Sequence, residues 1–102
     1  MTYLAKYKRV PQARLVLGSV LMSPGARQNL SWGDVHRALE RHVSGDWGDI
    51  SPENWEGNNF ALAKGMLVSS SYKGRSGVKF RVITDCDTHL TKIIMPDEAV
   101  DF

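Results

Sequence analysis

The chain has 102 residues, 42% of them hydrophobic, and 13 Lys and Arg against 11 Asp and Glu leave a formal charge of +2. This length fits one domain, and such a domain buries about two-thirds of the surface that its unfolded chain exposes. The longest apolar stretch, Leu15–Met22, includes Gly18 and Ser19 and falls far short of the ~20 residues that span a bilayer, so no membrane partner is expected. Cys86 is the sole cysteine, which excludes an intrachain disulfide and any multi-cysteine zinc site. Lys6, Lys8 and Arg9 precede no secretory-type hydrophobic segment, so the expected location is cytoplasmic. A pI of about 8.9 is mildly basic, short of a dedicated nucleic-acid binder.

In chain order, residues 1–12 read as a flexible basic arm, 13–98 as a single domain and 99–102 as an acidic tail. Residues 13–22 predict a strand buried on both faces, because Leu15, Leu17 and Leu21 alternate with Val16, Val20 and Met22. Ser23-Pro24-Gly25 breaks the chain, and Ala26–Leu30 suits a short helical turn. Ser31, with Asp34 three residues on, caps a helix over 32–43 whose apolar face is Val35, Ala38, Leu39, His42 and Val43, and Gly45 ends it. Ser51-Pro52-Glu53 starts a second helix that faces inward with Trp55, Asn59, Leu62 and Ala63 and stops at Gly65. Gly57 inside it costs about 1 kcal/mol relative to Ala; close packing against a sheet would explain it.

Met66–Tyr72, Val78–Thr84 and Leu90–Met95 read as strands joined by a hairpin loop over 73–77 and a turn over 85–89. The expected fold is a single α+β domain: a mostly antiparallel four-stranded sheet, two helices on one face, order β-α-α-β-β-β. The other face carries Lys79, Arg81 and Lys92 and is expected to be partly exposed.

The segment between the helices is the densest in local signals. Gly45 and Gly48 allow positive φ, Asp46 and Asp49 can accept backbone N–H bonds at the second helix, and Trp47 can fold over the helix pair. Together with His42 and Asn58 these residues form an expected structural joint; a rigid loop that presents Trp47 and Asp46 to a partner is the functional alternative.

Arg41-His42, Gly45-Asp46-Trp47-Gly48-Asp49, Asn58, Ala61-Leu62, Gly65, Ser70-Ser71-Tyr72, Val82-Ile83-Thr84 and Ile94-Met95-Pro96-Asp97-Glu98 resemble a family of small bacterial proteins carried on chromosomes, plasmids and other mobile elements, often labelled plasmid-related. The resemblance covers residues 14–98. It departs from the family at Asp85-Cys86-Asp87, where members often have an acidic residue, an alanine and an aspartate. It implies an α+β fold and a bacterial or phage origin, and brings no reaction, cofactor or catalytic residue.

Few residues invite chemistry, and no catalytic set, metal site or cofactor is expected. His42 on the apolar helix face reads as a hydrogen-bonded core histidine, whereas His36 falls on the opposite surface. Asp85, Cys86, Asp87 and His89 mix the tastes of hard and soft metals within one turn, and a polar β-turn is the simpler account; a small enzyme using Cys86 is the remote alternative. Lys73, Arg75, Lys79, Arg81 and Lys92, with Tyr72, form the candidate binding surface, since cations beside an aromatic suit phosphates and bases. The basic arm, with Tyr3 and Tyr7, offers the same chemistry. The favoured expectation is a non-enzymatic accessory or inhibitor that binds a larger bacterial or phage protein complex, such as a CRISPR or restriction system; the alternative is a nucleic-acid-binding accessory.

Overall fold

Three serines start three helices in the computed structural model, which describes residues 14–98. Ser23, Ser31 and Ser51 each accept the backbone N–H three residues on, at 3.1 Å, and so satisfy a donor that the first helical turn leaves free. The elements are β1 (Ser19–Met22), α1 (Pro24–Asn29), α2 (Trp32–Val43), α3 (Pro52–Ala63), β2 (Leu67–Lys73), β3 (Lys79–Asp85) and β4 (Leu90–Ile94). Glu98 reinforces the first cap, accepting Ser23 Oγ at 2.5 Å and the Met95 N–H at 2.6 Å. The basic arm and the acidic tail lie outside the described residues.

The α+β class and the expected order hold, with α1 as the short helical turn. The four strands lie in the order β1-β4-β3-β2. β2–β3 and β3–β4 are antiparallel, but β1 runs parallel to β4, so the sheet is mixed. A parallel pair needs a long crossover, and here nearly the whole fold lies between the two strands.

The first strand is shorter than the alternation of residues 13–22 predicts. Gly18 (φ +65°) turns the chain against β4, where a Cβ would lie 1.8 Å from the His89 carbonyl oxygen. Before that turn an irregular segment carries Leu17 into the core and leaves Val16 64% exposed.

α2 packs across one face of the sheet. Val35, Ala38, Leu39 and Val43 meet Val20, Met22, Tyr72, Phe80, Val82 and Ile93 in the main core. α3 flanks β2 on the same side, where Ala61 and Val68 pack with the fully buried Trp47. The inward face of α3 is rotated from the expectation: Asn58 and Ala61 are its buried residues, Trp55, Asn59 and Leu62 are half-buried, and Ala63 is exposed. Gly57 also departs from expectation, for it is exposed and a Cβ added there would meet no atom within 4 Å.

Candidate functional site

His42 sits at the centre of a buried polar chain. Its Nδ1 lies 2.6 Å from Ser70 Oγ and its Nε2 2.9 Å from Thr84 Oγ1; Thr84 Oγ1 lies 2.7 Å from Thr91 Oγ1, which donates to the Leu17 carbonyl at 2.7 Å. Each hydroxyl has one proton, so the terminal carbonyl orients every bond. Thr91 gives its proton to Leu17 and therefore accepts from Thr84, which in turn accepts from Nε2–H. That leaves Nδ1 to accept the Ser70 proton. Burial pushes the imidazole down from 6.5 to about 3, so it is neutral, as this pattern requires. His42, Ser70, Thr84 and Thr91 are all 0% exposed; this hydrogen-bonded series ties α2 to three strands.

The segment after α2 seals one edge of the sheet. Gly48 (φ +78°) bridges to Ser71, whose N–H donates to the Trp47 carbonyl at 3.1 Å and whose carbonyl accepts the Asp49 N–H at 2.7 Å. Two residues along, the Asn58 amide accepts the Ser69 N–H and donates to the Ser69 carbonyl, at 3.2 and 2.7 Å. β2 is the last strand of the sheet, and these contacts occupy backbone groups that an edge strand would otherwise leave open to another chain.

Trp47 stands edge-on to the His42 ring and donates its indole N–H to Asn59 Oδ1 at 2.9 Å. Asp46 and Asp49 do not cap α3, because Ser51 does. Asp46 instead pairs with Arg41 through two bonds and accepts the Gly48 N–H. The Arg41 hydrogen bond, partly opposed by burial, holds its carboxyl below the usual range. Asp49 contributes its backbone N–H. Gly45, also at positive φ (+81°), ends α2. Trp47 is buried and so is not displayed at the surface, whereas Asp46 is half-buried and paired with Arg41 in an exposed ion pair.

The strand register brings the predicted cations together. Lys73 lies across from Lys79, Ser71 from Arg81, Arg81 from Ile94, and Ile83 from Lys92. One sheet face thus carries Lys73, Lys79, Arg81 and Lys92, with Asp85 the single acid among its described strand residues. Tyr72 is a correction: it alternates to the opposite face, is 3% exposed, and donates its hydroxyl to the Asp46 carbonyl at 2.6 Å. Burial pushes its phenol well above the usual range. The cationic face is also less open than expected, because Ile83 and Ile94 at its middle are 2% and 0% exposed. Lys79 is exposed, Lys92 is half-buried, and the half-buried Arg81 donates to Ser69 Oγ at 3.1 Å.

Exposed cations gather at the β2–β3 hairpin, where Lys73, Arg75 and Lys79 all face solvent. Asp34 of α2 holds this tip: one carboxylate oxygen accepts the Arg75 N–H at 3.3 Å and the other pairs with Arg37. Gly74 makes the approach possible, since a Cβ there would lie 2.4 Å from Asp34 Oδ2. Burial opposes the charge on Asp34, but Arg37, the Arg75 N–H and Ser31 together hold its pKa below the usual aspartate value. Sequence reasoning read Asp34 only as a capping residue. Its second role depends on a contact 41 residues away, which no local pattern signals.

Cys86 is half-buried beside the Trp47 cluster, and burial, aided by Asp85, pushes its thiol up. A nucleophilic cysteine needs the opposite shift. Asp85 Oδ1 accepts the Asp87 and Thr88 N–H groups, making a polar turn. Among the described residues no group of three or more His, Cys, Asp or Glu could hold a metal ion, and no helix is long and apolar enough to cross a membrane. Comparison of the chain with protein-family models, curated proteins and solved structures gives no match.

Proposed function

We propose that the protein is a non-enzymatic binding accessory or inhibitor that docks on a larger bacterial or phage protein complex through its cationic hairpin tip. The observation that supports this reading is the set of three exposed cations, Lys73, Arg75 and Lys79, on a turn that Asp34 holds from a neighbouring helix. A preorganised loop loses little conformational freedom on binding, and a compact positive protrusion fits an acidic surface and speeds encounter with it. The resemblance of Gly45–Asp49 and the later segments to proteins of mobile elements agrees with such a role. Crosslinking in host lysate, followed by peptide mapping, tests it: a specific protein should link within residues 73–79, and Arg75→Glu with Lys79→Glu should abolish the link. Repeated recovery of no partner, or of one indifferent to these changes, would refute it.

A second reading, nucleic-acid binding, draws on the four cations that the register places on one sheet face. It predicts anisotropy changes with short oligonucleotides at low salt that fall steeply as salt rises, because phosphate contacts release counterions. No binding at low salt would eliminate it.

A further inference from the structure

Among the described residues nothing accounts for a glycine at position 57 of α3. It occupies the middle of the helix, and glycine is the poorest helix former after proline. It is exposed, and a Cβ added to it would meet no atom within 4 Å. Nothing inside the described fold needs the space. Phe60, three residues on, is 61% exposed, and the Lys64 ammonium rests 5.7 Å from the centroid of its ring. Glu53, Gly57, Phe60 and Lys64 are all exposed. Their spacing of four, three and four residues puts Glu53, Gly57 and Phe60 on one stripe of the helix with Lys64, the C-cap, at its end, the spacing of the contact positions in paired helices.

The order along this stripe is acid, gap, aromatic, base. Turned end for end it becomes base, aromatic, gap, acid. Each position of an antiparallel copy therefore meets its complement: Glu53 meets Lys64, and Gly57 meets Phe60. A two-fold axis between residues 57 and 60 generates all four contacts at once, which is the geometry of an isologous pair.

We infer that the outer face of α3 pairs with the same face of a second copy of this chain, Phe60 of each seating on Gly57 of the other. A protein partner with an unrelated helix would have no reason to match the charge order and the gap together. One pair of three-turn helices lies at the small end of specific interfaces, so the dimer forms weakly and with concentration. The inference is independent of the hairpin reading, since none of its residues lies on the hairpin.

Sedimentation equilibrium over a wide concentration range tests it on the intact chain. A monomer–dimer equilibrium is expected. Phe60→Ser should weaken it at least tenfold, leaving the fold intact because the ring is mostly in solvent. Gly57→Gln should raise the melting temperature by improving helix propensity and yet weaken the dimer, an opposition that a purely structural glycine cannot produce. Glu53→Lys should weaken association several-fold, and adding Lys64→Glu should restore it. A monomer at every concentration, or a dimer unchanged by Phe60→Ser and Gly57→Gln, would overturn the inference. So would a Phe60-dependent complex formed only with a different protein.

Discussion

Burial and a fixed direction of hydrogen bonding make His42 a neutral base in the folded chain, and that has a pH consequence. The unfolded imidazole titrates near 6.5, the folded one near 3, so between those values the unfolded chain carries a proton that the native state refuses. Stability from this group is fully present above 6.5 and falls, by about 1.4 kcal/mol per pH unit, as pH drops toward 3. The urea midpoint should decline from about pH 6.5 downward, and His42→Gln should flatten that slope while lowering stability throughout; a midpoint constant down to about pH 4.5 contradicts the assignment. Asp34 and Glu98 steepen the loss at lower pH, because both carboxyls are held below their usual values and their contribution disappears as they protonate. Gly48 is a second single-residue dependence. An alanine there would put its Cβ 2.0 Å from the Ser71 carbonyl oxygen, on a backbone whose left-handed φ alone costs roughly 1–2 kcal/mol with a side chain. Gly48→Ala should therefore lower stability by at least about 2 kcal/mol in chemical denaturation; a loss under about 0.5 kcal/mol, the range of ordinary surface changes, would show that the loop is not held against β2.

At the scale of elements, β2 is an edge strand that is not left open. The Asn58 amide and the Trp47–Asp49 backbone take up the N–H and C=O groups of Ser69 and Ser71. Replacing Asn58 by Ala should leave two edge-strand backbone groups unpaired at a part-buried site, with a cost of about 2–6 kcal/mol, since each abandoned group costs about 1–3. The same variant should aggregate on mild heating, because an unblocked edge is a template for another strand. Light scattering alongside the melt checks both, and a variant that melts like the parent and stays clear would show that Asn58 is dispensable. α3 thus serves β2 with its inner face, while its outer face is the one we assign to a second copy.

Across the whole molecule, charge is separated by position rather than by amount. The net charge is small, yet the hairpin tip and one sheet face collect cations while Asp34, the acid beside the tip, is already engaged by Arg37 and the Arg75 N–H. Arg75 and Lys79 are exposed, so Arg75→Glu with Lys79→Glu should leave stability within about 0.5 kcal/mol per substitution while removing partner binding. Loss of binding together with loss of fold would place these residues in the scaffold instead. Binding through this tip should also weaken with salt, as exposed charges are screened.

The sequence alone determined what depends on neighbours a few residues apart. Ser31, Ser51 with Pro52, Gly45 and Gly65 set the ends of α2 and α3, because caps and stops act through adjacent backbone groups. The period-two pattern around Phe80 and Val82 set β3 and the shared side of Lys79 and Arg81. Only the tertiary structure decided what depends on partners far along the chain. β1 lies parallel beside β4, a pairing that leaves no local trace. Alternation itself puts Tyr72 on the face opposite Lys73, but its bond to the Asp46 carbonyl is tertiary, and Ile83 and Ile94 became buried among the cations because exposure belongs to packing and not to alternation. Gly57 looked from the sequence like a contact with the sheet, and the helix rotation that buries Asn58 and Ala61 put it on the outside.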